Sequence, residues 1–254
     1  GILLGHDRNN LNPIIRDMGQ LSNMHIMVLA KSGAGKSYTS KLLITRMLMK
    51  GTKVFIVDPS GEYAKMCSHY GGQTIKISRT SDSIINPLDL CGEEYTDKRI
   101  SLMGLFSIIC GGLTPPLEGM LDKALKETYS RKGINEERDT WKRTPPTMRD
   151  LLAVLKELLR DAQKSRLYDT KRTVQALITR VEKYCESGVY SVVDKQTKIK
   201  TDSQFTVFDI KDLPEEVKTI YMYIVLDFIT GKSKDDLERK SIVIDEGWAL
   251  LNQE

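Results

Sequence analysis

The chain contains no apolar run approaching the ~18–20 residues that a membrane-spanning helix needs, which excludes a polytopic membrane protein. Cysteine is scarce. Cys67, Cys91, Cys110 and Cys185 form no C-x-x-C pair, and no histidine lies at ligand spacing from any of them. That pattern argues for unpaired thiols in a reducing compartment and against a metal site or a disulfide framework. The three histidines, His6, His25 and His69, are scattered, with no carboxylate or thiol placed to complete a metal centre. Excess charge is lacking too: the net charge is +4. Residues 93–190 carry 18 Lys and Arg against 15 Asp and Glu, and the remainder carries 20 against 19. Neither part is the basic block that drives binding to a phosphate backbone. There is no internal repeat and no low-complexity tract. Residues 1–4 are short and lack a basic n-region, so no secretory leader is expected.

What is present suits one large α/β domain, or a core carrying a smaller insertion: 254 residues, 40% of them hydrophobic. Residues 2–4 and 13–17 are short apolar runs around a polar stretch and predict a hairpin or two edge strands. Residues 24–30 are continuously apolar, as expected of a strand buried on both faces of a parallel sheet. Over 36–50, Leu42, Leu43, Met47 and Leu48 recur at helical spacing, and Gly51 can end that helix. Residues 54–57 predict a second buried strand, so 24–57 reads as a strand–helix–strand unit. Past residues 75–77 and the Asn86-Pro87 turn, nearly all signals from 96 to 184 are helical. Thr114 before Pro115 starts one helix. Thr147 and Asp150 have capping-box spacing at the start of another, with Met148, Leu151, Leu152, Leu155, Leu158 and Leu159 on one face. Val174, Leu177, Ile178, Val181 and Tyr184 make a similar stripe. Such stripes predict packing inside a helical bundle. The α/β pattern resumes with a strand at 205–210, a helix at 214–230 and a strand at 241–244. The expected divisions are a first core part at 1–92, a helical insertion at 93–190, and a second core part at 191–254.

Residues 30–37, Ala-Lys-Ser-Gly-Ala-Gly-Lys-Ser, fit the phosphate-loop pattern with Ala30 in place of the first glycine. Gly33 and Gly35 permit backbone conformations and close approaches that a side chain would block. Successive N–H groups from Lys31, Ser32, Gly33, Ala34, Gly35, Lys36, Ser37 and Tyr38 can then cradle phosphate oxygens at the positive end of a helix. Lys36 can reach the β- and γ-phosphates of ATP, and Ser37 offers a hydroxyl to Mg2+. Residues 242–246, Ile-Val-Ile-Asp-Glu, supply the second half: an apolar strand ending in Asp245 for Mg2+ and Glu246 to polarise the attacking water. Lys36 and Glu246 are therefore the candidate catalytic residues. Glu62, in Asp-Pro-Ser-Gly-Glu-Tyr after the second strand, has two readings. It either assists the water or the γ-phosphate, or it caps the next helix. Asp209, at another strand end, favours a structural role. Trp248 is expected to anchor the exit of the last strand by packing.

Taken together, the phosphate loop, DPSGEY at 58–63, INPLDL at 85–90, GGLTPPLEGMLDKAL at 111–125, FTVFDIKDLPEE at 205–216 and IDEGWALL at 244–251 resemble a known family. It is the motor domain of the conjugative-transfer ATPases of type IV secretion systems, the TraC and TrbE type, in the HerA–FtsK branch of RecA-like ATPases. The resemblance implies a RecA-like P-loop NTPase core with a mostly parallel sheet and an inserted all-helical subdomain. It also implies ATP and Mg2+ as cofactors and an ATPase that energises pilus assembly and substrate transfer. The implied partners are the coupling ATPase and inner-membrane channel proteins. The implied setting is the cytoplasmic side of the bacterial inner membrane, reached through those partners, in a homo-oligomer such as a hexamer. A HerA- or FtsK-type DNA translocase, or an ATP-gated assembly module with slow hydrolysis, are the competing readings. In RecA-like ATPases a central strand with a polar sensor follows the Asp-Glu strand. The sequence ends eight residues past Glu246, so the resemblance implies that the last part of the core is missing here. A gap is then expected between the phosphate-loop strand and the Asp-Glu strand, and weak hydrolysis by the isolated chain.

Overall fold

A computed structural model describes residues 1–17, 22–31, 33–78, 80–185, 190, 193–234 and 238–250. Its centre is a four-stranded, wholly parallel sheet. The strands are β3 (Lys53–Asp58), β4 (Gln73–Lys76), β5 (Phe205–Asp209) and β6 (Lys240–Ile244), in the spatial order β4-β5-β3-β6. Ahead of it, β1 (Ile2–His6) and β2 (Pro13–Arg16) form the expected antiparallel hairpin. The hairpin is tied to the next helix where the Arg46 guanidinium donates to the carbonyl of Leu3.

The two inner strands show why their sequences are apolar without alternation. Val54, Ile56, Phe205 and Val207 face one side, with Ile44 of α1 (Lys36–Leu48), Tyr63, and Cys67 of α2 (Ala64–His69). Phe55, Val57 and Phe208 face the other side, toward α7 (Glu215–Ser233) and the inserted helices. A strand covered on both faces has no polar face to display. The edge strand β6 differs: Ile242 and Ile244 remain exposed.

Four helices lie between β4 and β5: α3 (Tyr95–Cys110), α4 (Pro115–Arg131), α5 (Met148–Lys164) and α6 (Tyr168–Val181). Met148, Leu151, Leu152 and Leu155 of α5 and Val174, Leu177, Ile178 and Val181 of α6 are buried, as their spacing predicts. The Thr147 N–H donates to the Asp150 carboxylate at 2.9 Å, so Asp serves in the capping box. These helices share one continuous apolar core with the far face of the sheet. Two polar ties reinforce the join. Asp227 of α7 accepts from Lys98 and Ser101 of α3. Asn86 of the INPL segment is fully buried and donates from Nδ2 to the Pro146 carbonyl at 2.8 Å, just before α5.

Two expectations fail. Residues 24–30 form no strand: no described strand pairs with them, and Met24, Met27 and Leu29 are 66%, 75% and 83% exposed. A parallel strand is held by ladder bonds to a neighbour and by apolar cover on its faces. Among the described residues neither reaches this segment, so the expected strand–helix–strand unit is here helix α1 followed by β3. Trp248 is not a packing anchor either; it is 61% exposed, within a short 3-10 helix at Gly247–Leu250. All four cysteines are free and buried.

Candidate functional site

The irregular segment 22–31 leads into a loop whose shape depends on two glycines. Gly33 has φ 76° and Gly35 has φ 90°, a left-handed region that a Cβ penalises. The Ala34 N–H donates to the Lys31 carbonyl at 3.1 Å, and Gly35 caps α1. The first N–H groups of α1 have no carbonyl one turn back to bond, and the helix dipole adds partial positive charge there. Lys36 and Ser37 lie in this first turn, half-buried. Lys31 is exposed and Tyr38 is 73% exposed. Ser32 lies outside the described residues. Among the described residues, nothing lies within 4 Å of where a Cβ on Gly33 or Gly35 would sit.

The exit of β6 meets this loop. The Asp245 N–H donates to the Val57 carbonyl at 3.2 Å, extending the β3–β6 ladder by one residue. The Asp245 side chain is nearly buried, and its Oδ1 lies 3.3 Å from Nζ of Lys36. The Glu246 N–H donates to the same Oδ1 at 3.1 Å. Glu246 itself has φ 52°, a conformation that costs a non-glycine residue about 1–2 kcal/mol. That turn swings its exposed side chain back over the sheet edge toward the loop after β3, where its Oε1 lies 3.4 Å from the Ser60 hydroxyl.

The loop after β3 is built around Asp58, which is fully buried. Its Oδ1 accepts from the N–H groups of Ser60, Gly61 and Glu62 at 3.3, 2.8 and 3.2 Å, and its Oδ2 from Tyr63 at 2.9 Å. Gly61 has φ 73°, and a Cβ there would lie 2.6 Å from Cδ of Lys211. Tyr63 is buried. That burial, and then the negative charge of Asp245, hold its phenol well above the ordinary range. Lys41 of α1 sits 5.2 Å from the Tyr63 ring centroid and 3.7 Å from Oε2 of Glu62. Glu62 therefore faces α1, while Ser60 faces Glu246.

Strand register adds a pattern. Asp58 is opposite Asp209, and Asp245 follows the residue opposite Val57, so three carboxylates end three adjacent parallel strands. Their partners differ. Asp58 is held by backbone N–H groups, Asp209 accepts from the Lys211 N–H at 3.0 Å, and Asp245 faces the Lys36 side chain. The fold thus brings Lys36, Asp245 and Glu246 together and pairs Glu62 with Lys41. Reading the sequence alone missed Ser60 and the cradle around Asp58. The signal for the cradle was there, since Asp-Pro-Ser-Gly at a strand end is the pattern of an Asp that bonds its own following backbone.

Comparison with known proteins places the chain. Residues 4–229 match the family described as "Helicase HerA, central domain". A solved structure of VirB4 of Thermoanaerobacter pseudethanolicus superposes with a TM-score of 0.83 at 30% identity, covering 98% of this chain and 68% of that one. Among curated proteins, "Protein TraC" of Escherichia coli (strain K12) is 22% identical over 246 residues, 91% of this chain and 26% of TraC. The "Probable DNA double-strand break repair helicase HerA" of Methanocaldococcus jannaschii is 30% identical over 99 residues, 38% of this chain and 19% of that protein. The chain therefore spans about a quarter or less of the curated relatives it matches. With its parallel sheet, inserted helices and glycine-shaped loop, the chain belongs to the HerA central-domain family, on the VirB4 and TraC side of the HerA–FtsK branch of RecA-like ATPases.

Proposed function

We propose that this chain is the ATP-hydrolysing motor domain of a type IV secretion machine, energising pilus assembly and substrate transfer. The observation that carries the reading is the meeting of Lys36, Asp245 and Glu246, which come from opposite ends of the sequence. In this reading the loop N–H groups around Gly33 and Gly35 bind the phosphates of ATP, and Lys36 contacts the β- and γ-phosphates as a point charge. Ser37 and Asp245 are the residues that would hold Mg2+, which would supply positive charge to offset that of the phosphates. Two single oxygen ligands suit Mg2+, which keeps its other positions for phosphate oxygens and water. Glu246 orients the attacking water. Glu62, paired with Lys41, has the lesser role of tying its loop to α1.

The arginine that stabilises the transferring phosphate is expected from a neighbouring copy in a homo-oligomer, so residues 1–254 alone bind ATP and turn it over slowly when dilute. Docking at the inner membrane is expected through the coupling ATPase and channel proteins; no described helix is long and apolar enough to cross a membrane. A second reading, a DNA translocase, is favoured by the match to the Methanocaldococcus jannaschii helicase. The deciding measurement is ATPase rate against protein concentration on the full-length protein, with and without DNA. A rate that climbs with concentration and ignores DNA supports the secretion motor. Strong stimulation by DNA moves the assignment to the translocase, and no turnover under any condition removes the motor reading.

A further inference from the structure

The Ser60 hydroxyl, which meets Glu246, comes from a loop that the reading above leaves without a catalytic part. Its Oγ lies 3.4 Å from Oε1 of Glu246 across a sequence separation of 186 residues. We propose that Ser60 is a positioning residue which holds the Glu246 carboxylate in its working orientation. The proposal rests on the role given to Glu246.

Three features support it. Glu246 is exposed and leaves β6 through a left-handed turn, so its own strand does little to fix its side chain. A flexible carboxylate loses rotamer freedom when it is fixed, and a donor already in place lowers that penalty. Second, Ser60 is itself held. Its N–H is bonded to the buried Asp58 carboxylate, the Lys211 side chain packs against Gly61, and Tyr63 anchors the end of the loop in the core. A side chain presented from a rigid frame is what an oriented carboxylate needs. Third, Lys41 joins this same loop to α1, the helix that starts at the phosphate loop, through both Glu62 and Tyr63. The frame that presents Ser60 is therefore registered against the helix that carries Lys36 and Ser37. The 3.4 Å separation is long for a hydroxyl–carboxylate bond, and such contacts commonly tighten only in the reacting complex.

The test uses the full-length protein at a concentration where the wild type hydrolyses ATP. Single-turnover and steady-state rates, with ATP affinity measured separately, are compared for wild type, Ser60→Ala, Ser60→Thr, Glu246→Gln and the double variant Ser60→Ala/Glu246→Gln. Ser60→Ala is expected to lower kcat about tenfold, the scale of one hydrogen bond to a charged group, with KM and ATP affinity unchanged. Ser60→Thr, which keeps the hydroxyl, is expected to stay within about threefold of wild type. In the Glu246→Gln background, Ser60→Ala is expected to have no further effect, because it acts through that carboxylate. A wild-type rate in Ser60→Ala overturns the proposal. So does a rate loss of equal size in both backgrounds, or a loss shared with ATP affinity, either of which marks a merely structural role. If Glu246→Gln hydrolyses like wild type, the assignment of Glu246 fails, and the role of Ser60 falls with it. If Glu246→Gln is impaired and Ser60→Ala is not, Glu246 stands and Ser60 alone is refuted.

Discussion

In the helices between β4 and β5, Leu151, Leu155, Val174 and Leu177 are wholly enclosed, whereas at the phosphate-loop edge Met24, Met27 and Leu29 stand mostly in solvent. Residues 24–30 are the more apolar stretch, with six apolar residues in seven. A helix satisfies its own backbone, so α5 and α6 need only bring their stripes together, and they make the most extensive helix–helix contact in the molecule. An extended segment satisfies its backbone only through a neighbour. The enclosed region carries stability, and the open edge carries the residues of the candidate site.

That division can be broken or sharpened by four measurements. The largest effect is expected at the open edge. Glu246→Gln should lower ATP hydrolysis by about 10²–10⁴-fold while ATP binding and melting temperature stay as in wild type. A variant that melts earlier instead would show that the edge bears load. Next, Leu155→Ala in the enclosed region should cost about 2–5 kcal/mol in denaturant unfolding, with ATP affinity per folded molecule unchanged. A loss of affinity in the folded fraction would join the two regions functionally.

A smaller effect is expected where the start of α3 meets the end of α7. Glu93 is buried, one carboxylate oxygen has no hydrogen-bond partner among the described residues, and Lys234 lies 3.6 Å away. Burial first, and then the charge of Asp227, push its carboxyl above the ordinary range despite Lys98 and Lys234. A raised carboxyl favours the folded state fully only below the unfolded value of ~4.3, and that stability is lost as pH rises through the folded value. Glu93→Gln should thus raise stability at pH 7, and the gain should vanish toward pH 4. A gain that persists in acid would point to packing instead of charge. The smallest effect is expected at Leu29→Ser, within about 0.5 kcal/mol in residues 1–254, because the side chain is already in water. A large destabilisation there would mean that the segment is covered in solution.

How far the sequence could be read follows from the same physics. Gly33, Gly35, Lys36 and Ser37 are contiguous, and their local pattern carries their meaning. The stripes of α5 and α6 repeat at helical period and were legible for that reason. Residues 24–30 misled because hydrophobicity reports a wish for cover and is silent on whether a neighbour supplies it. Trp248 misled in the same way. Glu62 and Ser60 are two residues apart in a tight loop, and only the cradle formed around Asp58 decides which of them faces Glu246. Pairing across 186 residues leaves no trace in local pattern.

The row of acids at the ends of β5, β3 and β6 has one more implication. Parallel strands that stop together line up like charges, so each of the three must be compensated on its own terms. Asp58 is bound into its own loop, and Asp209 accepts from the main chain two residues on; neither can change partner without rebuilding a turn. Asp245 faces the tip of a long, partly exposed lysine side chain, and rotation about its bonds is enough to part them. Of three chemically identical groups, the fold leaves one with a detachable counter-ion. A charge arriving at this row of acids therefore meets one carboxylate whose partner can turn aside.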